Sequence, residues 1–306
     1  MFARDLIIKD LSMLPQSKGP QGPVGLVAHC AKPNAAELLR QLAAQLRACG
    51  AEVLLESESA ALAGEPGGVS YDELGRRCVL LLVLGGDGTI LKAVYELGER
   101  LPPILGINIG SLGFLTCISS GNAMDAVEAV CTGRYVLSRR SLLDVMLERQ
   151  GEIIYRRNGL NEAVISRGGL SRLIKLDTWV NGIALTQYNA DGLLVATPTG
   201  STAYSLSAGG PVIAPDARVF VITPVCPHVL TNRSLVVSDG AEIVVRPVGG
   251  QTDVLLTVDG HGVEHVFEGD LIRIRKSTLQ FSLAMLPELS FCEVLREKLK
   301  WSGSAV

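Results

Sequence analysis

The clearest hydrophobic pattern in the chain is an unbroken apolar run over residues 80–84, which leads directly into the sequence GGDGT at 85–89. A helical pattern begins immediately after these five residues. A continuous apolar run of this length is typical of a strand buried on both faces of a parallel sheet. The glycine cluster would then lie at the carboxyl end of the strand, where open α/β sheets bind their ligands.

The rest of the amino-terminal half repeats this rhythm of strand and helix. Apolar segments at 24–28, 51–55 and 104–107 predict strands. Between the first two, Pro33 marks a helix start, and apolar residues then recur on one helical face until Gly50. The polar, alanine- and glycine-rich stretch 56–72 predicts a surface loop or a poorly formed helix. The alternation predicts an α/β domain with a parallel sheet.

From about residue 138 the pattern changes to short β segments separated by turn signals. The turns are the pairs Asn181–Gly182, Asp239–Gly240 and Asp259–Gly260. This predicts a β-rich, β-sandwich-like carboxyl domain. Ser290 and Glu293 have the spacing of a capping box, so a final helix is expected to return to the first domain. The predicted domains are 1–137 with 283–306, and 138–282.

The amino-acid composition limits the expected cellular location and the expected classes of binding partner. The 28 basic and 31 acidic residues give a net charge of −3, which does not favour nucleic-acid binding. Seven scattered cysteines without a CxxC pair are typical of the reducing cytosol. The amino terminus does not read as a secretory signal, and no apolar run reaches membrane-spanning length. We therefore expect a cytoplasmic protein without nucleic-acid or membrane partners.

The glycine-rich sequence at 85–89 is typical of a loop that binds a phosphate group. Glycines let backbone N–H groups approach an anion, and the helix that follows adds the positive end of its dipole. Asp87 would repel a bare phosphate, so it needs either a magnesium ion or a hydroxyl group to bind, as phosphoryl transfer requires. The alternative is a tight turn in which Asp87 only caps the helix.

Two further segments carry groups that match a nucleotide. Asn161 and Glu162, beside a β segment, could bind a ribose diol or a base edge, although an ordinary turn is the commoner explanation of such a pair. The segment 191–211 is an apolar strand followed by a hydroxyl-rich loop in which Tyr204 could pack against a ring. A flexible linker would not be joined so closely to apolar runs.

His261, Glu264 and His265 match the pattern H-x-x-E-H of some zinc proteases. That site requires a helix, whereas Gly260 and Gly262 favour a β-turn, so we treat the match as chance. No protein-built metal site is expected.

Together these motifs resemble the NAD kinase family. The resemblance rests on GGDGT at 85–89, GINIGSLGFLT at 106–116, Asn161 with Glu162, and above all TPTGSTAYSLSAGGP at 197–211. It implies that NAD binds between the two domains, with ATP and Mg²⁺ or another divalent cation nearby, in a homodimer or homotetramer.

The resemblance also implies roles for individual residues. Asp87 would accept the proton of the 2′-hydroxyl of the adenosine ribose. Asp191 would bind the nicotinamide end, including that of a dinucleotide held mainly by a neighbouring subunit. The residues implied in nucleotide binding are Gly85, Gly86, Gly88, Thr89, Asn161, Glu162, Arg172, Asn189, Asp191, Thr199, Thr202, Ala203, Tyr204, Ser205, Leu206, Ser207 and His261.

Asn189 and Cys117 stand where many family members carry a basic and an acidic residue. Either difference could alter the affinity for the dinucleotide or the choice between NAD and NADH. Two rival functions share some of these features. A lipid kinase would use the same glycine loop, although the hydroxyl-rich loop speaks against it, and a non-catalytic sensor would bind NAD without turnover. The phosphoryl donor, ATP or polyphosphate, is open.

Overall fold

The computed structural model describes residues 19–169, 173–229, 231–249 and 254–301. These residues divide into two compact units. The first comprises residues 19–138 and 282–301, and the second is Arg139–Phe281. Within the described ranges, no helix combines the length and the apolar character needed to cross a membrane.

The first unit is built on a parallel sheet. Its strands are β1 (Val24–Ala28), β2 (Val53–Leu55), β3 (Leu80–Gly85), β4 (Ile104–Asn108) and the short β5 (Ile118–Ser119). The order is β2-β1-β3-β4, and β5 pairs with β4. Every residue of β1, β3 and β4 is buried, which explains their continuous apolar sequences.

The α-helices in the described part of this unit are α1 (Ala35–Ala48), α2 (Ser57–Ala63), α3 (Tyr71–Arg77), α4 (Asp87–Leu97), α5 (Ala123–Thr132) and α7 (Phe291–Leu299). The predicted apolar face of α1 is confirmed, with Leu39, Leu42 and Leu46 fully buried. The helix after the glycine loop begins at Asp87, whereas the sequence pattern placed its start near Thr89.

The prediction of a loop or poorly formed helix over 56–72 was wrong in part, because α2 is a regular helix and α3 begins at Tyr71. The carboxylate of Glu56 accepts hydrogen bonds from the N–H groups of Glu58 and Ser59, both at 3.0 Å. Ser70 accepts one from the N–H of Glu73 at 3.2 Å. These caps satisfy donors that the first turn of each helix leaves open.

The second unit is a sandwich of two antiparallel sheets. One sheet has the order β13-β12-β11-β8-β15-β16, and the other contains β6, β7, β9, β10, β14 and β17. The strands are β6 (Val136–Arg149), β7 (Glu152–Gly159), β8 (Glu162–Arg167), β9 (Ile174–Val180), β10 (Ile183–Ala190), β11 (Gly192–Ala196), β12 (Val219–Val225), β13 (Leu235–Ser238), β14 (Ile243–Val248), β15 (Val254–Val258), β16 (His261–Val266) and β17 (Leu271–Met285). Aliphatic and aromatic side chains from both sheets form one buried core.

Two of the predicted turns are hairpins. Asn181–Gly182 joins β9 to β10, and Asp259–Gly260 joins β15 to β16, with positive φ at all four residues. Asp239–Gly240 instead joins β13 to β14, which lie in different sheets. Among its described residues this unit has one α-helix, the short α6 (Tyr204–Ser207), which follows a 3-10 turn at Gly200–Thr202.

The carboxyl end of the chain belongs to the first unit. Leu283 in β17 pairs with Ile104 in β4, in the parallel direction. The predicted capping box of α7 is present, with Ser290 and Glu293 bonding each other's backbone N–H groups. The Phe291 ring lies 6.5 Å from that of Phe114, so the last helix packs against the loop that follows β4.

Candidate active site

In the first unit the candidate site lies where β3 passes into α4. The N–H of Thr89 donates to the carbonyl of Gly86 at 2.9 Å, and the Thr89 hydroxyl accepts from the N–H of Gly86 at 3.3 Å. These bonds fold the GGDGT sequence into one turn. Gly88 is exposed there, and Asp87 is half-buried at the amino end of α4.

The Asp87 carboxylate is held by the loop that follows the neighbouring strand β4. One oxygen, Oδ2, accepts from the N–H of Phe114 at 2.8 Å. The other, Oδ1, accepts from the N–H groups of Leu115 and Thr116 and from the Thr116 hydroxyl, each at 3.0 Å. Four donors on one carboxylate fix its orientation.

Asn108, the last residue of β4, extends this network. Its Nδ2 donates to the Thr116 hydroxyl at 2.9 Å and to the carbonyl of Ser111 at 2.8 Å. Its side-chain oxygen is buried and has no hydrogen-bond partner in the described part of the chain. The sequence identified the 106–116 motif but gave no role to Asn108. Only the adjacency of β3 and β4 shows that this motif supports Asp87.

In the second unit, Asn161 and Glu162 lie at the beginning of β8. The hydroxyl of Thr197 donates to the carbonyl of Leu160 at 2.6 Å, and its N–H donates to the carbonyl of Asn161 at 2.8 Å. A Cβ on Gly200 would come within 2.1 Å of that same Asn161 oxygen, so only glycine fits there. The structure thus brings the pair Asn161–Glu162 together with the beginning of the 197–211 segment.

Glu162 is 8% exposed, and its Oε2 has no hydrogen-bond partner among the described residues. Burial, with a contribution from the negative charge of Asp259, raises the pKa of Glu162 to about 8. A buried carboxyl group with an unused oxygen is a group that a polar ligand could satisfy.

The hydroxyl-rich segment divides into inward and outward residues. Ser205 is fully buried and shares a hydrogen bond of 3.1 Å with Thr223. Thr199 is buried too, and its carbonyl accepts from the hydroxyl of Thr202 at 3.2 Å. Tyr204 and Ser207 are exposed, whereas Thr202, Ala203 and Leu206 are half-buried.

A second group of predicted residues surrounds a cavity of about 420 Å³. Asp191 and Tyr204 both line it, and Asp191 forms an ion pair of 2.8 Å with Arg167. Asn189 lies near the end of β10, where its carbonyl accepts from the N–H of His228 at 2.9 Å. Arg172 lies outside the described residues.

His261 and His265 lie on the strand β16, so the helix that an H-x-x-E-H zinc site requires is not present at these residues. His261 pairs with Val258 across the hairpin that Asp259 and Gly260 close.

Both halves of the chain match a family of known proteins. Residues 24–135 match the ATP-NAD kinase N-terminal domain, and residues 160–286 match the ATP-NAD kinase C-terminal domain. The chain belongs to the NAD kinase family. This confirms the family that the sequence motifs suggested, and the matches include the GGDGT, Asn161–Glu162 and 197–211 segments.

Relatives of this NAD kinase family chain include the NAD kinase of Geobacter metallireducens, 44% identical over 76% of this chain and 83% of the relative. The NAD kinase of Geotalea daltonii is 42% identical over 91% and 98%. Yeast NADH kinase complexed with NADH has a similar structure, with a TM-score of 0.86 and 27% identity over 96% of this chain and 94% of that one. An NAD kinase from Archaeoglobus fulgidus in complex with ATP shares the fold, with a TM-score of 0.71 and 24% identity over 92% and 97%. The predicted fold class is confirmed.

Proposed function

We propose that this chain transfers the terminal phosphoryl group of ATP to the 2′-hydroxyl of the adenosine ribose of NAD, producing NADP. Its membership of the NAD kinase family supports the phosphorylation of NAD with ATP. One observation carries the assignment of the proton acceptor: the only carboxylate of the glycine loop, that of Asp87, is fixed by four donors in one orientation.

In this proposal Asp87 orients the hydroxyl and accepts its proton. Its Oδ1 already accepts three hydrogen bonds and its Oδ2 only one, so Oδ2 has a free lone pair for the hydroxyl. In the proposed reaction, Asp87 takes up the proton late, after the bond to phosphorus has begun to form.

Phosphate oxygens would be bound by residues of the glycine loop, namely Gly85, Gly86, Gly88 and Thr89. These residues lie around the amino end of α4, where backbone N–H groups and the helix dipole favour anions. Among the described residues no three acidic, cysteine or histidine side chains are clustered as a metal site would need. We therefore propose that Mg²⁺ enters with the triphosphate, whose charge it neutralises.

Asn161 and Glu162 would hold the adenosine portion of NAD, with help from Thr199, Thr202, Ala203, Tyr204, Ser205, Leu206 and Ser207. For Asn161 and Glu162 the support is the buried, unpartnered oxygen of Glu162 beside the 197–200 turn. Asp191 would bind the nicotinamide end, since it lines the cavity of about 420 Å³ with Tyr204. Asn189 and His261 are proposed as further contacts of the bound dinucleotide. The active form is proposed to be a cytoplasmic homodimer or homotetramer.

The test incubates the purified full chain with NAD, ATP and Mg²⁺ and measures NADP with a strictly NADP-dependent dehydrogenase. Product that requires the metal ion supports the proposal. Parallel reactions replace ATP by polyphosphate, NAD by NADH, and NAD by diacylglycerol in mixed micelles. Phosphorylation of the lipid alone would establish a lipid kinase, and NAD binding without any product would establish a sensor.

A further inference from the structure

Asp259 contacts the Asn161–Glu162 pair from the opposite hairpin. One carboxylate oxygen accepts from the N–H of Leu160 at 2.6 Å. The other accepts from the N–H groups of Asn161 and Glu162 at 2.8 and 2.9 Å. The N–H of Asp259 in turn donates to the carbonyl of Glu162 at 3.0 Å. Three consecutive amides thus converge on a single carboxylate.

The hairpin turn alone does not require this carboxylate. Asp259 has a φ of 52°, a conformation that asparagine and glycine adopt at least as readily. An asparagine side chain has only one acceptor atom, however, and glycine has none, so neither could bind all three amides. The aspartate therefore serves the segment 160–162 in addition to its own turn.

We propose that Asp259 is a positioning residue, which fixes the backbone of 160–162 so that the side chains of Asn161 and Glu162 are held ready for the adenosine portion of NAD. The inference rests on the proposed role of those two residues. Thr197 holds the carbonyls of Leu160 and Asn161 while Asp259 holds the N–H groups, so both sides of the peptide are fixed. A segment fixed before binding loses less conformational entropy when the ligand arrives.

The test uses two substitutions that suit a positive φ. Asp259→Asn keeps one acceptor oxygen, and Asp259→Gly keeps none. Titration calorimetry with NAD and initial-rate kinetics should show weaker NAD binding in the order wild type, Asn, Gly, with about a tenfold increase in Kd and KM for Asp259→Gly, since hydrogen bonds to a charged group are lost. The KM for ATP should change less than twofold.

Asp239→Asn is the matched control. Asp239 also precedes a glycine in a turn of the same unit and forms an ion pair with Lys276, but it does not contact 160–162. Its substitution should lower the melting temperature and leave the Kd for NAD unchanged. If both aspartate substitutions change the Kd for NAD equally, general destabilisation is the cause and the inference is wrong.

A double-mutant cycle separates this inference from the proposed function. In an Asn161→Ala, Glu162→Gln background, Asp259→Gly should weaken NAD binding by less than a further twofold, because the residues it positions are gone. A full tenfold further loss would overturn the inference. If Asn161→Ala and Glu162→Gln leave NAD binding unchanged, the proposed adenosine contacts are wrong. If they weaken it while folded Asp259→Asn and Asp259→Gly do not, only the positioning role fails. If Asp259→Gly does not fold, the Kd for NAD of Asp259→Asn is used to test the positioning role.

Discussion

At the scale of single residues, each unit contains a carboxylate whose position is set by backbone N–H groups. Asp87 accepts three N–H groups and a hydroxyl from 114–116, and Asp259 accepts three N–H groups from 160–162. Backbone donors cannot rotate away as side chains can, so these carboxylates are placed by the fold itself. Small changes in the backbone should therefore alter activity.

Gly113 offers a direct test of this dependence. A Cβ at this position would lie 1.9 Å from Oδ1 of Asp87, so Gly113→Ala must displace the carboxylate or the loop. We expect kcat to fall at least tenfold, because the acceptor leaves its productive position by about an ångström. The control is Gly121→Ala, whose Cβ would meet no atom closer than 3.8 Å and should leave kcat unchanged. Equal rates for both variants would show that the orientation of Asp87 is unimportant.

The buried Glu162 makes stability depend on pH. Its folded pKa of about 8 lies above the ordinary value of 4.5, so between these pH values the folded chain retains a proton that the unfolded chain releases. The free energy of unfolding should therefore fall as pH rises from 4.5 to 8 and level off above that.

The substitution Glu162→Gln removes the ionisable group, and with it this pH-dependent loss of stability. Urea titrations at pH 5, 7 and 9 should show the variant gaining on the wild type with rising pH, by at most a few kcal/mol at about 1.4 kcal/mol per pKa unit. Glu152→Gln, at an exposed position, should show no such gain. If the free energies of unfolding of Glu162→Gln and the wild type change in parallel with pH, Glu162 does not retain a proton in the folded chain.

At the scale of elements, the regular apolar patterns were sufficient to predict the buried strands and the face of α1. The run at 80–84 identified β3, and the leucines of α1 identified its buried side. Helix α2 was missed because its cap is a glutamate that depends on tertiary contacts. Glu56 is buried and also accepts from the Ser59 hydroxyl at 2.9 Å, while that hydroxyl accepts from the N–H of Ala28 in β1 at 2.9 Å. No local pattern contains this contact.

The caps of α2 and α3 should differ in how much they contribute to the free energy of unfolding. Glu56→Ala leaves several donors open in a buried place, so we expect a loss of about 2 kcal/mol in the free energy of unfolding. Ser70→Ala, at the exposed cap of α3, should cost about 0.5–1 kcal/mol. Chemical denaturation of the two variants gives both values. A loss for Glu56→Ala no larger than that for Ser70→Ala would mean that burial adds nothing to the first cap.

At the scale of the whole molecule, sequence motifs predicted the family and the fold class, because long motifs such as 197–211 are specific. They could not predict which residues support the site. Asn108 and Thr116 reach Asp87 through the adjacency of β3 and β4, and Asp259 reaches Glu162 across 97 positions of the chain. Contacts of this kind follow from strand pairing, which a single sequence does not reveal.

Turnover and NAD binding of Asp87→Asn, measured on the same preparation, test directly whether Asp87 is the proton acceptor. Asparagine keeps the size of the side chain but can no longer accept a proton, so kcat should fall by at least about 100-fold while the Kd for NAD stays within threefold. That result would support Asp87 as the proton acceptor. A folded variant with nearly full turnover would show that Asp87 is not the proton acceptor, and the reaction would then need a different one.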